Sequence, residues 1–130
     1  MLGQFQQSQL RIEVKASAAI LREALTQTAQ FRQWLWPQTF AADLPQYLMA
    51  GAHFTSWLGP IETQHRVDRL DAAGLRFILS GSVDGFQEWS WGEGWVQSRL
   101  EGISLLPLNM GQTATLLRLQ LFLAGQHGSP

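Results

Sequence analysis

The ionisable side chains that could carry acid–base chemistry are few. Charged residues make up only 15% of the chain, and such catalysis needs a carboxylate or an imidazole held in a pocket that shifts its pKa. The candidates in strand-like segments are His65, Arg99 and Glu101. Arg99 and Glu101 share one face of a strand, where they pair either inside a cavity or on a solvated surface. The sequence alone therefore leaves the catalytic residues unassigned.

Other chemistries lack the residues they need. The chain has no cysteine, which excludes disulfides, thiol catalysis and cysteine-ligated metal sites. The three histidines, His53, His65 and His127, have no metal-ligand spacing, so neither a metal site nor a cofactor is predicted. No serine stands in a nucleophile motif, and Gly92-Glu93-Gly94 lacks the lysine of a phosphate-binding loop.

Six tryptophans in 130 residues supply an unusual amount of aromatic surface. Trp89 and Trp91 share one strand face, and Trp95 follows across a tight turn. Two interpretations remain open: an aromatic wall of a ligand pocket, or core packing with aromatic pairs across strands. The candidate pocket residues are Trp34, Phe54, Trp57, Phe77, Trp89, Trp91, Trp95, Arg99 and Leu116.

Alternation of apolar and polar residues predicts the strands that would position these side chains. It marks about six strands in the up-and-down order typical of antiparallel sheets. Asp84-Gly85 and Gly92-Glu93-Gly94 are predicted turns, and residues 38–45 are predicted to form a loop. The predicted strands span residues 10–15, 53–58, 62–71, 75–83, 87–91 and 95–101.

Two short helices are predicted after the first strand, and a third near the end of the chain. Ser17 is the candidate N-cap of the first helix and Thr28 that of the second, which Pro37 should end. The segment 112–124 alternates like a strand, but its Leu, Gln, Arg and Ala content favours a helix with Leu116 on its apolar stripe.

Length and composition predict one domain over residues 1–130, with residues 1–8 and 125–130 loose. Hydrophobic residues make up 45% and the net charge is −1. The cationic residues are scattered, which argues against a nucleic-acid surface. The sequence shows neither a signal peptide nor an apolar run long enough to span a bilayer. We therefore expect a cytoplasmic protein without integral membrane association.

The order of the elements resembles that of the START-like superfamily, which includes Bet v 1-type pathogenesis proteins and polyketide cyclases. Residues 12–25 resemble the family's opening strand and its small-residue helix start, and Phe31-Arg32-Gln33-Trp34 resembles the Phe-x-x-Trp that closes the second helix. Residues 94–108 resemble the end of the sheet that feeds the last helix. The chain is most similar to small cyanobacterial members of this superfamily.

The resemblance implies an α+β helix-grip fold. In that fold a bent antiparallel sheet grips a C-terminal helix, often around an apolar cavity. The C-terminal helix has room for about four turns before Gly125, which is shorter than in the family. A shorter helix would leave the cavity either open at one end or collapsed.

Three hypotheses follow for the function. The first is binding of an apolar small molecule, such as a lipid, isoprenoid or pigment, in a pocket on the order of a few hundred Å³. The second is assembly through an exposed apolar patch, such as residues 103–110, with a partner or a second copy as a homodimer. The third is an enzyme of the cyclase or dehydratase kind. The composition and the resemblance favour binding over catalysis.

Overall fold

The computed structural model describes residues 3–127, which form one sheet and three helices. The seven strands are all antiparallel and lie in the order β1-β7-β6-β5-β4-β3-β2. The predicted α+β class, antiparallel sheet and C-terminal helix are therefore confirmed. The elements are β1 (Gln4–Glu13), α1 (Ala18–Thr26), α2 (Thr28–Trp34), β2 (Thr39–Phe40), β3 (His53–Leu58), β4 (Ile61–Leu70), β5 (Gly74–Gly81), β6 (Val83–Gly92), β7 (Trp95–Ser104) and α3 (Leu108–His127).

The two faces of the sheet differ in what covers them. Trp89 and Trp91 are buried on one side of β6, here called the inner face, and Glu88 lies on the other side. Helix α3 lies against the inner face along β1 and β7. The predicted alternation is thus confirmed, because an antiparallel sheet keeps one face in the core and leaves the other to solvent.

The two short helices form where they are predicted, but only one of the predicted caps is correct. The Ser17 hydroxyl accepts a hydrogen bond from the Ile20 amide at 3.2 Å, as expected of an N-cap. The second helix is capped at Gln27, and Thr28 is its first residue. The Thr28 hydroxyl donates instead to the Pro45 carbonyl at 2.6 Å, which ties the following loop to the helix.

The seventh strand, β2, lies inside the segment predicted to be a loop. Thr39 and Phe40 pair with Trp57 and Ser56 of β3. The prediction of about six strands is therefore one too low. A two-residue strand has no detectable period in a sequence, and it exists here because β3 offers it a partner edge.

The predicted turn at Asp84-Gly85 is wrong. Gly85 lies inside β6 opposite Gly102 of β7, and the chain turns instead at Gly81, where φ is +95°. A Cβ at Gly102 would lie 2.7 Å from the carbonyl oxygen of Asp84, and a Cβ at Gly85 would collide with Glu101. The paired glycines therefore allow close backbone approach within the sheet rather than a reversal of the chain.

Both chain ends are more ordered than predicted within the described residues. Residues 4–8 belong to β1 and pair with β7, and residues 125–127 belong to α3. At 20 residues α3 is about 30 Å long, which exceeds five turns, so the expected four-turn helix is wrong. The prediction treated Gly125 as a stop, whereas a helix anchored by packing tolerates a glycine. Residues 1, 2 and 128–130 lie outside the described residues.

A buried glutamine fixes α3 on the sheet. Gln112 is only 2% exposed, and its amide nitrogen donates to the Ser98 carbonyl at 2.8 Å and to the Ser98 hydroxyl at 3.0 Å. Its amide oxygen accepts from the Ser8 hydroxyl. Because each buried polar atom of this group has a partner, the network sets the register of α3 against β1 and β7.

Candidate functional site

A cavity of about 80 Å³ lies between the helices and the inner face of the sheet. It is smaller than the predicted pocket of a few hundred Å³, because aromatic rings from both layers project into the same space. The size prediction is therefore wrong. The cavity is lined by Leu25, Phe31, Trp34, Leu35, Gln38, Phe40, Phe54, His65, Phe77, Gln87, Trp89 and Thr115.

The aromatic rings that line the cavity contact one another, and the lining as a whole is here called the wall. Trp34 meets Trp89 edge to face, with 5.9 Å between the ring centroids. Phe54 stacks on His65 at 4.5 Å with only 7° between their planes, and Phe77 meets the same imidazole edge to face at 5.4 Å. Such pairs prefer fixed geometries, so the wall has a defined shape.

His65 is the one ionisable side chain among the described lining residues. Its Nδ1 atom is buried and has no hydrogen-bond partner within residues 3–127. Burial against the rings lowers the pKa of His65 from 6.5 to about 4, and a hydrogen bond that the imidazole donates to the backbone of Thr63 opposes that shift. The imidazole is therefore neutral near pH 7, with one nitrogen that donates and one that accepts.

Two glutamine side chains and the hydroxyl of Thr115, which donates to the carbonyl four residues earlier at 2.9 Å, supply the other polar groups of the wall. The Gln38 amide nitrogen donates to the Ser56 hydroxyl at 2.8 Å. The Gln87 amide nitrogen is 3.5 Å from the Ser98 hydroxyl, at the limit for a hydrogen bond. With the nitrogens directed at serines, the amide oxygens are the groups left to accept a hydrogen bond.

The structure brings together four of the nine candidate pocket residues. Trp34, Phe54, Phe77 and Trp89 line the cavity. Trp91 and Leu116 are buried in the surrounding core without lining it. The binding role of the four residues stays a prediction.

Three of the candidate residues do not face this cavity. Trp57 lies beside His53 and Asp43 in an adjoining groove of about 250 Å³, which shares Phe54 and His65 with the cavity. Trp95 and Arg99 project from the face of β7 opposite to buried Val96 and Ser98. The prediction that these two residues line the pocket therefore does not hold for this cavity. The alternation of the strand puts odd-numbered residues of β7 on the outer face.

The acid–base candidates separate in the same way. Arg99 and Glu101 form an outer-face ion pair at 2.9 Å, which leaves His65 as the candidate at the cavity. Gln87 was missed by sequence reasoning, although its period-two relation to Trp89 could have indicated it. Gln38 lies between α2 and β2 and gives no such signal.

Two further features were sought over the described part of the chain. Within residues 3–127 no three His, Cys, Asp or Glu side chains come together as a metal ion would require. None of the helices described there combines the length and the apolar character that a bilayer crossing needs.

Solved structures similar to this one cover almost the whole chain. Protein CV1439 from Chromobacterium violaceum has a TM-score of 0.73 at 15% identity, over 90% of this chain and 96% of that one. CalU16 from Micromonospora echinospora has a TM-score of 0.68 at 15% identity, over 92% and 77%. The Aha1 dimer from Colwellia psychrerythraea has a TM-score of 0.67 at 16% identity, over 91% and 96%.

The chain shares its fold with these proteins. The resemblance to the START-like superfamily, and to its cyanobacterial members, stays a prediction. No family model matches the sequence, and no curated protein matches it. At such identities a shared fold does not carry an activity from one protein to another, so the function has to be argued from the cavity.

Proposed function

We propose that this protein binds a small, mostly apolar molecule in the cavity between the helices and the inner face of the sheet. The observation that carries the proposal is a wall of aromatic rings that includes a buried imidazole nitrogen without a partner among residues 3–127. Binding sites for small molecules are typically apolar and aromatic, with a few polar groups that orient the ligand. The shared fold adds a scaffold that is compatible with this role.

The volume narrows the class of ligand. An engineered apolar cavity of about 150 Å³ in another protein holds one benzene ring, and the cavity here measures about 80 Å³. A single ring therefore fits only after a rim side chain such as Leu35, which is only partly buried, moves outward. A lipid, isoprenoid or pigment would need a much larger rearrangement, so we favour a ligand with one ring.

Toluene, a single apolar ring, is the probe for this proposal. We expect saturable binding that shifts the indole NH signals of Trp34 and Trp89 in ¹H–¹⁵N NMR spectra, because both rings line the cavity. Thr115→Phe fills the cavity from α3 and should weaken binding at least about tenfold, in line with the loss of a well-packed apolar contact.

The control for this variant lies on the same helix. Thr113 is exposed, and its hydroxyl donates to the carbonyl four residues earlier at 2.9 Å, as does that of Thr115. Thr113→Phe should therefore leave toluene binding unchanged. Equal binding by both variants, or shifts spread over the surface, would contradict a ligand site in the cavity.

A stripe of exposed apolar residues favours a second function, self-association of two copies of the chain. The outer side of α3 carries Met110, Leu117 and Leu121, which are 70%, 52% and 73% exposed. Together with Ala114 and Ala124 they repeat at intervals of four and three residues, the spacing of a helix–helix seam. The stripe contains no charged residue, so two copies would meet without like-charge repulsion. The Aha1 structure of the same fold is a dimer.

Self-association through this stripe predicts a dimer whose fraction rises with protein concentration. Leu121→Glu should give a monomer, because two carboxylates would face each other across an apolar seam. Gln120→Glu adds the same charge at an exposed position beside the stripe and should retain the dimer. Sedimentation velocity distinguishes monomer from dimer in both variants. A wild-type protein that stays monomeric at every concentration would contradict this function.

The enzyme hypothesis has one supporting residue. His65 lines the cavity, but Arg99 and Glu101 lie on the outer face, so an acid–base pair is not assembled there. Binding is therefore better supported than a cyclase or dehydratase activity. The cytoplasmic location stays a prediction.

A further inference from the structure

We infer that the ligand of the cavity is a neutral ring compound that carries a hydrogen-bond donor such as a hydroxyl group, an inference that rests on the proposed function. The polar atoms of the wall are matched to such a group and to no charged one. Three side chains carry the argument: His65, Gln38 and Gln87.

The absence of charge on the wall excludes anionic ligands as good partners. None of the described lining residues is Asp, Glu, Lys or Arg. A carboxylate or phosphate that entered would lose its water without gaining an opposite charge, which is strongly unfavourable. A cation would lack a carboxylate for the same reason. The ligand is therefore neutral.

The orientation of the amide groups selects a donor on the ligand. The nitrogens of Gln38 and Gln87 are directed at the hydroxyls of Ser56 and Ser98, so their oxygens remain as acceptors. His65 adds one acceptor nitrogen, because burial holds its pKa at about 4 and keeps the ring neutral near pH 7. A hydroxyl on the ligand can donate to one of these three acceptors, whereas a ligand without a donor leaves the buried Nδ1 atom of His65 without a partner among the described residues.

The cost of an unpaired acceptor gives the expected selectivity. A site built around polar groups rejects an analogue that lacks the matching group, because desolvated atoms lose their partners. Phenol and toluene have the same ring and almost the same size, and they differ in the hydroxyl. We expect phenol to bind about tenfold more tightly than toluene, and we expect benzoate, an anion of similar shape, not to bind.

The test compares these three compounds on the full chain by NMR titration of the Trp34 and Trp89 indole signals. His65→Phe keeps the ring that stacks on Phe54 and removes both nitrogens, and Gln87→Met keeps the length of the side chain and removes the amide. At least one of the two variants, the one that removes the acceptor of the ligand hydroxyl, should reduce the preference for phenol over toluene to within about twofold. His53→Phe, at an exposed position outside the cavity lining, is the control and should keep the preference.

The outcomes separate this inference from the proposed function. A collapsed preference in His65→Phe or in Gln87→Met, with toluene still bound, supports a hydroxyl-selective site. Equal binding of phenol and toluene to the wild-type protein, or binding of benzoate as tight as that of phenol, overturns the inference and leaves apolar binding standing. If none of the three compounds shifts the indole signals of Trp34 and Trp89, the proposed function fails, and the inference fails with it.

Discussion

Trp91→Ala is expected to lower the free energy of unfolding by about 3–5 kcal/mol, the range for truncating a large buried aromatic side chain. Trp91 is only 2% exposed on the inner face of β6 and belongs to the main core. The deletion removes the transfer free energy of the ring and leaves a void that a rigid sheet cannot close. Urea unfolding followed by far-UV circular dichroism measures the loss through the shift of the midpoint.

Trp95 provides a matched control in the same hairpin. The pairs Trp91–Val96 and Gly92–Trp95 adjoin the same tight turn, but Trp95 lies on the outer face with the Arg11 guanidinium 4.2 Å above its ring. Trp95→Ala should therefore cost only about 1 kcal/mol, which is typical of a partly exposed cation–π contact. Equal losses for the two variants would contradict the assignment of the inner face.

Trp91→Phe is the second variant to measure if Trp91→Ala does not fold. The indole nitrogen of Trp91 is buried and has no hydrogen-bond partner within the described residues. Phenylalanine keeps most of the apolar contact and removes that unsatisfied group, which by itself costs about 1–3 kcal/mol in a core. We therefore expect the phenylalanine variant to retain most of the stability of the wild-type protein.

The sequence predicts those elements whose signals are local. Strand β3 spans 53–58 as predicted, Ser17 caps α1, and the turn at 92–94 joins β6 to β7. Each of these depends on a short pattern that the chain carries by itself. Strand β2 and the glycine pair in the sheet could not be predicted in this way, because both depend on which strand lies opposite.

The candidate site was predicted only in part, for the same reason. Alternation within each strand predicts which residues share a face with Trp89 and which share a face with Trp95. Only the turn and the strand register show that Trp89 and Trp95 lie on opposite faces of the sheet. Gln112 stands on the inner stripe of α3 with Leu116, where a polar residue has no local explanation. Its partners Ser8 and Ser98 are 104 and 14 residues away. The cavity volume depends on the packing of rings from different elements, which no sequence pattern encodes.

The protein should lose stability as the pH falls from 6.5 towards 4, because of His65. Its pKa is about 4 in the folded chain against 6.5 in the unfolded chain. In that interval the unfolded chain binds a proton that the folded protein does not, so the free energy of unfolding decreases as the pH falls. The stabilisation is complete above pH 6.5 and is lost by about pH 4. At 1.36 kcal/mol per pKa unit the loss is at most about 3 kcal/mol.

Comparison with His65→Phe isolates this contribution from those of the carboxylates, which titrate in both proteins. The ring stacked on Phe54 is retained in that variant, so packing is disturbed little while the titration disappears. Asp43 and His53 share the adjoining groove with His65 and do not line the cavity. Urea unfolding at about pH 7.5, 5.5 and 4.5, one value above and two within the interval between the two pKa values of His65, should show a steeper loss for the wild type than for His65→Phe. The exposed-site variant His53→Gln should follow the wild type. Parallel losses in the wild type and in His65→Phe would mean that water reaches the imidazole in the folded protein, and the neutral acceptor assigned to the cavity wall would then be lost with it.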